Sequence, residues 1–472
     1  MLPIVTPKEM VRLEQMAYSQ GCSEEQFMEA AGKGIAWAIP HDKKWVHLLC
    51  GKGNNGADGL VALCYLMNAG YQTSCTRPKD LSACSALLQK QHARYIAQGG
   101  KETQTIPPKC DLILDGIFGT GFSGAPKAPF DEWIKQANQS QIPLFAIDIP
   151  SGLDGETGEV QTVAIQAECT LYLGLPKRGF FLGQGWHHTG KLQRIDFNLP
   201  TTPENPSLLL QTIESVHLPE IKRDQHKYVA GYVAGIGGMG ALFLAGLAAL
   251  RSGSGIVKLF YAQNPSVYSP LELIHSSYHA IEEVLPFIQN AKALFVGPGM
   301  GLECKNLEIF LSSIQIPLVL DADALNLIAK EKLKIPPFCI LTPHRTEFER
   351  LIRSSLPYGI TEDLLKIGIS FANQHDCTLI LKGSPTLIFH PKTVPILCDR
   401  GDPGMATAGT GDVLTGMIAA LLANGNKPID AARFGVCLHG VAGEIAALKK
   451  GSRSMIATDL IESLAEVFKK IN

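Results

Sequence analysis

Among the 12 cysteines of this 472-residue chain there is no CxxC pair, which removes the usual spacing of zinc and dithiol redox centres. The thiols sit mostly inside apolar runs, as Cys50, Cys64 and Cys437 do. They read as small buried hydrophobes in a reducing cytoplasm. An excess of charge is also absent, since 42 Lys and Arg against 44 Asp and Glu leave a formal −2. Neither nucleic acid nor a membrane surface is therefore an expected partner, and small-molecule chemistry is the better expectation. The amino terminus MLPIVTPKEM lacks the apolar core of a signal peptide. The strongest apolar runs, such as VLTGMIAALLA, are too short for a bilayer. These absences predict a soluble cytoplasmic protein.

What is abundant is glycine, 46 residues without a collagen-like period, which points to glycine loops between strands and helices. At about 100–200 residues per domain, the length predicts two or three domains. Thr6-Pro7-Lys8-Glu9 predicts a capped helix with proline at its first position, and Ser23 with Gln26 repeats the capping signal. Strands are expected at Trp45 to Cys50, Tyr71 to Thr76, Leu112 to Leu114 and Leu144 to Ile147, with a helix over Leu60 to Ala69. This alternation predicts an α/β fold with a mainly parallel sheet covered on both faces. Between Asn198 and Pro219 the pattern breaks, and NLPTTPENPS reads as a linker. A second α/β series follows, with strands at Tyr232 to Ile236, Ile256 to Phe260, Leu294 to Val296, Leu318 to Leu320, Cys339 to Leu341 and Leu379 to Leu381. We expect two domains, 1–212 and 213–472.

The most informative stretch is GDPGMATAGTGDVLTGMIAALLANG. Val413, Leu414, Met417, Ile418, Leu421 and Leu422 follow helical spacing, and Gly425 terminates the helix. The glycines of TAGTGD therefore lie at the helix's amino end, where free N–H groups and the dipole attract phosphate. Asp412 in the first turn places a carboxylate beside that anion site, which suggests proton transfer. VGPGMG, DADALN, TPHRTEFERL and KGSPT each follow an apolar strand and should gather on the ligand-binding edge of the sheet. Each alone is weak, and a lone His344 is usually structural.

In the first half, GKGNNGADG formally matches GxGxxG through Gly51, Gly53 and Gly56. A dehydrogenase loop does not need Asn54, Asn55 and Asp58, however, and Thr76 and Arg77 stand where its acid should be. Arg77 could favour a 2′-phosphate, although a lone solvated arginine is the commoner explanation. Asp115 and Asp148 end two further strands, with Ser151 close behind. Asn55, Asp115 and Ser151 are hard oxygen donors suited to an alkali or alkaline-earth cation rather than a soft metal. Lys177 in GLPKRG follows another strand and is a candidate partner, against a default of a snorkelling surface lysine. His187 and His188 lack further spaced ligands and read as two loop histidines.

HKYVAG, GIGGMGA, GPGMG, LDADALN, LTPHRTEF, LKGSPT and GDPGMATAGTGDVLTG together resemble the ADP/ATP-dependent NAD(P)H-hydrate dehydratases, from about His226 to the end. The resemblance implies a ribokinase-like fold and nucleotide contacts at Lys382, Gly383, Ser384, Pro385, Thr386 and Gly411. It implies hydrate contacts at Ala241, Gly299, His344 and Asp412, although GGMGALFLAG is shorter than the family's usual stretch. GNNGADG, DGIFGTG and IDIPSGLDGETG resemble the NAD(P)H-hydrate epimerases, over roughly Thr6 to Leu199. That resemblance implies a Rossmann-like three-layer sandwich and a potassium ion held by Asn55, Asp115 and Ser151. It implies hydrate contacts at Asn54, Asn55, Gly56, Ala57 and Asp58, along Gly119, Thr120, Gly121, Phe122, Ser123, Gly124 and Ala125, and at Asp148.

The implied activity is repair of hydrated NADH and NADPH (NADHX and NADPHX). R and S epimers interconvert, and ADP, or ATP, with Mg2+ as the resemblance implies, drives dehydration of the S epimer. Asp412 would accept the hydroxyl proton as phosphate transfers, and Asp148 would assist epimerisation, with Lys177 as its partner. The alternative is a small-molecule kinase of the same fold fused to a dinucleotide-binding regulatory module. Family members commonly assemble, which implies a homo-oligomer.

Overall fold

Both predicted capping boxes close in the computed structural model. Thr6 and Glu9 bond each other's backbone amides at the start of helix Pro7–Ser19, and Ser23 and Gln26 do the same before Glu24–Ala38. The structure describes residues 1–472 except 201, 222, 224, 263–269, 356–363 and 472. Thr201 of the expected linker thus lies outside the described residues. Contacts divide the chain into two units, Leu2–Ser207 and Leu208–Asn472 with Met1. The division falls a few residues before the expected 212, because Leu209–Leu210 already pairs with Ile396–Cys398 of the second unit.

The first unit is built on a seven-stranded, wholly parallel sheet. Trp45–Cys50 is the third strand in its order. Gln72–Thr76 flanks it on one side and Leu112–Gly116 on the other, followed by Leu144–Ile147, Cys169–Leu173 and Lys191–Ile195. Alternate residues feed opposite faces: Leu48, Leu114 and Ile147 join one core cluster, while Leu49, Ile113 and Ala146 join another. Each leucine or isoleucine among them contributes roughly 1.5–3 kcal/mol by full burial. Helices Glu24–Ala38 and Asn54–Asn68 cover the first face and Phe130–Gln139 the second. The strand order reverses between Trp45–Cys50 and Leu112–Gly116, which opens a crevice at their carboxyl ends.

The second unit repeats the principle. Tyr232–Ile236 pairs in parallel with Ile256–Tyr261 on one side and Ala293–Val296 on the other. Leu318–Leu320, Ile340–Leu341 and Thr378–Leu381 continue the parallel order. Two antiparallel strands, Thr386–Phe389 and Ile396–Cys398, then extend the sheet. KGSPT is therefore the turn of a hairpin rather than a strand-to-helix loop. Val233, Phe295 and Val319 point into one core cluster, and Ala234, Val296 and Leu320 into the other. Helix Pro428–Lys450 is long and apolar enough to cross a membrane, contrary to the reading of short runs, but 78% of its apolar window is buried inside the unit. It serves as a core helix. All twelve cysteines are free thiols, and ten are buried.

Candidate active sites

In the first unit the helix after Trp45–Cys50 begins at Asn54, six residues before the expected start. The apolar period starts only at Leu60, whereas the preceding turn is polar and glycine-rich. Asn54, Asn55 and Asp58 therefore stand on a helix amino end whose Gly53 cap makes no side-chain bond, which leaves N–H groups for a ligand. Gly51 is dictated by space, since a Cβ there would lie 1.8 Å from the Ile117 carbonyl oxygen.

These residues line a cavity of about 690 Å³ together with Gly119, Thr120, Gly121, Phe122 and Asp148. Ser123, Gly124 and Ala125 do not line it, and Gly56 and Ala57 sit buried behind it. Asp148 ends its strand with a φ of 64° and is 4% exposed. Its Oδ2 accepts from the Thr120 amide at 3.1 Å and hydroxyl at 3.0 Å. Its Oδ1 accepts from Lys177 Nζ at 2.5 Å, and the same ammonium donates to the Leu173 carbonyl at 2.9 Å. Lys177 is fully buried, so the default of a snorkelling surface lysine is overturned. Burial, then the charges of Asp148, Glu14 and Glu24, raise Asp58 well above the usual carboxylate range.

Asp115 lies at 0% exposure within its strand rather than after it. It accepts from the Ser151 hydroxyl at 2.6 Å, the Ser151 amide at 2.8 Å and the Ile117 amide at 3.1 Å. Burial outweighs these bonds and pushes it up to about 6. Ser151 Oγ accepts from the Phe118 amide, and Asn55 Nδ2 donates to the Phe118 carbonyl. Asn55 Oδ1 is buried without a hydrogen-bond partner. An orphaned acceptor on a side chain linked through Phe118 to Ser151, and through Ser151 to Asp115, is compatible with a hard cation.

In the second unit, helix Thr410–Ala423 begins inside TAGTGD, and its Gly409 cap has a φ of 92° and no side-chain bond. Asp412 occupies the first turn. Burial, then Asp321, against Lys382, and then Asp323 push it up to about 6. Lys382 Nζ donates to Asp321 Oδ1 at 2.9 Å, while Thr415 Oγ1 donates to Asp321 Oδ2 at 2.6 Å. Burial opposes the lysine's charge, but Asp321, Glu347 and Asp412 hold its pKa above the ordinary value. A Cβ on Gly411 would sit 3.3 Å from that ammonium, so the two expected nucleotide positions adjoin. Gly383, Ser384, Pro385 and Thr386 follow in the hairpin turn, where Thr386 Oγ1 donates to the Gly383 carbonyl at 3.0 Å.

A Cβ on Gly299 would approach Ala241 Cβ to 3.3 Å, so these two expected hydrate positions also meet, despite the shortened glycine segment. His344 bridges Lys382 through the backbone and bonds Glu347, and its side chain is 52% exposed. Sequence reading had Asp321 only as the first residue of DADALN and missed Thr415, its partner across 94 residues. It also missed Glu14, Tyr18 and Glu24, which line the first cavity.

Two further expectations resolve outside the sites. Arg77 is not a lone solvated arginine, for its guanidinium bonds Glu102 at 2.6 Å and His92 at 3.2 Å. His187 and His188 lie on the short helix Gly185–Thr189, and His188 bonds the Ile165 carbonyl. No group of three His, Cys, Asp or Glu suited to a metal occurs among the described residues.

Residues 233–466 match the family model described as NAD(P)H-hydrate dehydratase, and residues 24–179 match the YjeF-related protein N-terminus. A bifunctional NAD(P)H-hydrate repair enzyme of Moorella thermoacetica is 33% identical over 99% of this chain and 97% of its own. A ribokinase-like superfamily protein of Enterococcus faecalis is 27% identical with a TM-score of 0.50, over 57% of this chain and 99% of its own. An ADP/ATP-dependent NAD(P)H-hydrate dehydratase of Bacillus subtilis, co-crystallised with ATP and Mg2+, is 26% identical with a TM-score of 0.46, over 56% and 99%. The near full-length match joins both halves in one relative and replaces the alternative of a kinase with a regulatory module. With one motif set, one glycine-flanked helix end and one acid–lysine constellation in each unit, the chain belongs to the bifunctional NAD(P)H-hydrate repair enzymes.

Proposed function

We propose that the unit 1–212 epimerises R- and S-NAD(P)HX and that 213–472 dehydrates S-NAD(P)HX to NAD(P)H with ADP or ATP. The single observation that carries the assignment of roles is the different use of lysine in the two sites. Asp148 is held from both sides by Lys177 and Thr120. Asp412 stands at a helix amino end while Lys382 is engaged by Asp321.

In the second unit, Asp412 takes the proton of the substrate hydroxyl as a phosphoryl group is transferred to it. Lys382 and the amide groups at Gly411 face the phosphates, and Gly383 to Thr386 flank the nucleotide. The new phosphate ester is a good leaving group, and its elimination with loss of a ring proton restores the dihydropyridine. Ala241, Gly299 and His344 border the hydrate. Mg2+ would accompany the nucleotide and screen its phosphate charge.

In the first unit, Asn54, Asn55, Asp58 and Gly119 to Phe122 hold the hydrate, and Asp148 moves a proton at the hydrated carbon, with Lys177 as its positioning partner. Asn55, Asp115 and Ser151 would hold K+, and the orphaned Asn55 Oδ1 supports that reading. Bound K+ would supply a fixed positive charge at the edge of the cavity. The partners are free NADHX and NADPHX, acted on by a cytoplasmic homo-oligomer.

The test is a repair assay on separated epimers with ADP or ATP, followed by the near-ultraviolet absorbance of the reduced nicotinamide. We expect the S epimer to return that absorbance at once and the R epimer only through epimerisation. Phosphorylation of the hydrate with no return of absorbance would overturn the dehydratase assignment.

A further inference from the structure

The first two helices each turn a stripe toward the cavity of the first unit. Val11, Glu14, Gln15 and Tyr18 lie at helical spacing on Pro7–Ser19, and Glu24 and Phe27 continue the wall on Glu24–Ala38. A separate stripe of the first helix, Met10, Leu13 and Ala17, is the one that packs into the core. Glu14 is therefore not required for packing. It is half-buried and accepts no hydrogen bond and forms no ion pair among the described residues. The neighbouring acids differ: Asp148 is bound by Lys177 and Thr120, and Glu24 accepts from Asn54 at 2.5 Å.

Epimerisation makes a demand that one acid does not meet. The hydroxyl leaves from one face of the ring carbon, and water returns to the other. A proton carrier is needed on each face. We propose that Glu14 is the second acid–base group of epimerisation, working from the helical wall of the cavity while Asp148 works from the strand-end wall. This rests on the assignment of epimerisation to this cavity.

In one direction the Glu14 carboxyl gives its proton to the leaving hydroxyl. The carbon–oxygen bond breaks, water departs, and the ring-nitrogen lone pair stabilises the cation. Water then adds to the opposite face of the same carbon while Asp148 takes its proton. That proton returns to Glu14 through water, so no electron, net proton or co-reactant is consumed.

The groups facing Glu14 set its titration. Tyr18 lies on its own helix, Glu24 on the next, Lys52 and Asp58 flank the start of the third, and Asp148 and Lys177 lie at the strand ends. Burial, then Asp148, partly offset by Lys177, and then Glu24 push Glu14 up to about 7. Tyr18 is pushed up to about 12, first by burial and then by Glu14, and stays neutral. A carboxyl that titrates near neutrality both gives and accepts a proton readily.

The experiment uses the full chain and purified R epimer. Glu14→Gln should lower the kcat of epimerisation about 100-fold, with KM within about twofold. The fall of kcat/KM above a pKa of about 7 should disappear. Dehydration of the S epimer should be unchanged. Thermal unfolding checks the first unit; if Glu14→Gln unfolds it, Glu14→Asp, which retains a carboxyl, should restore part of the rate with its alkaline fall. Wild-type kcat in Glu14→Gln beside a loss in Asp148→Asn would overturn the proposal alone. Full activity in both variants would overturn the cavity assignment with it. A raised KM with the alkaline fall intact would make Glu14 structural and also overturn the proposal.

Discussion

Both units place their sites at the carboxyl ends of parallel strands, and each site combines an uncapped helix amino end with one acid-bonded lysine and several acids. They differ in which acid the lysine holds. In the first unit Lys177 bonds Asp148, the acid assigned to proton transfer. In the second, Lys382 bonds Asp321, and Asp412 accepts no hydrogen bond among the described residues. A carboxylate that receives a proton during phosphoryl transfer needs free lone pairs, and Lys382 must keep its charge facing phosphate. Asp321 lets both conditions hold by restraining the lysine with one oxygen while Thr415 restrains the other. Epimerisation generates a cation, which an ion-paired carboxylate stabilises, and Asp148 Oδ1, with Lys177 as its one donor among the described residues, keeps a lone pair for the proton it takes.

The strongest break of this comparison is Asp412→Asn. It should lower dehydration of the S epimer by about 10²–10⁴-fold, the range for losing a general base, and leave epimerisation intact. A tenfold loss or less in steady-state dehydration would return Asp412 to the role of a helix cap.

Next is Lys177→Met. Removing one partner of a buried pair leaves Asp148 uncompensated, which should destabilise the first unit by about 3–5 kcal/mol. Adding Asp148→Asn should recover most of that stability without recovering epimerisation. Additive losses in urea unfolding of the double variant would show that the pair is not the source of the effect.

The capping boxes and the strands Trp45–Cys50, Leu144–Ile147, Tyr232–Ile236 and Leu318–Leu320 were legible because capping chemistry and unbroken apolar runs are local. The helix start at Asn54 was not, because its first turn is polar and glycine-rich and is held by burial at the strand edge rather than by propensity. Lys177 illustrates the same limit. Its partner lies 29 residues away, and nothing in GLPKRG distinguishes a buried ammonium from a snorkelling one. Asp321 and Lys382, 61 residues apart, were each visible in a motif but not as a pair. The loops announce chemistry, and only the sheet order says which loops meet.

A smaller effect sharpens the second site. Asp412 titrates at about 6, and its protonated form accepts no proton, so kcat/KM for dehydration should fall as pH drops through that value. Lys382 lowers this pKa and Asp321 raises it. Lys382→Met should therefore move the acid limb upward and Asp321→Asn should move it downward. An acid limb that stays fixed in both variants would assign it to another group.

The smallest expected effect concerns the cation. Asn55 Oδ1 is a buried acceptor without a partner, and an unsatisfied buried acceptor costs about 1–3 kcal/mol. A potassium ion reached by Asp115 and Ser151 would remove that cost in the first unit and do nothing for the second. Exchange of potassium for tetramethylammonium should thus slow epimerisation severalfold and lower the unfolding temperature of the first unit, with dehydration of the S epimer as the internal control. Asn55→Leu should abolish the potassium response, because it replaces the orphaned oxygen with an apolar group of similar volume. Equal slowing of both activities would point to a general salt effect, and an unchanged response in Asn55→Leu would remove Asn55 from the ligand set. The comparison would then rest on the two lysine–acid arrangements alone, which differ whether or not a cation binds.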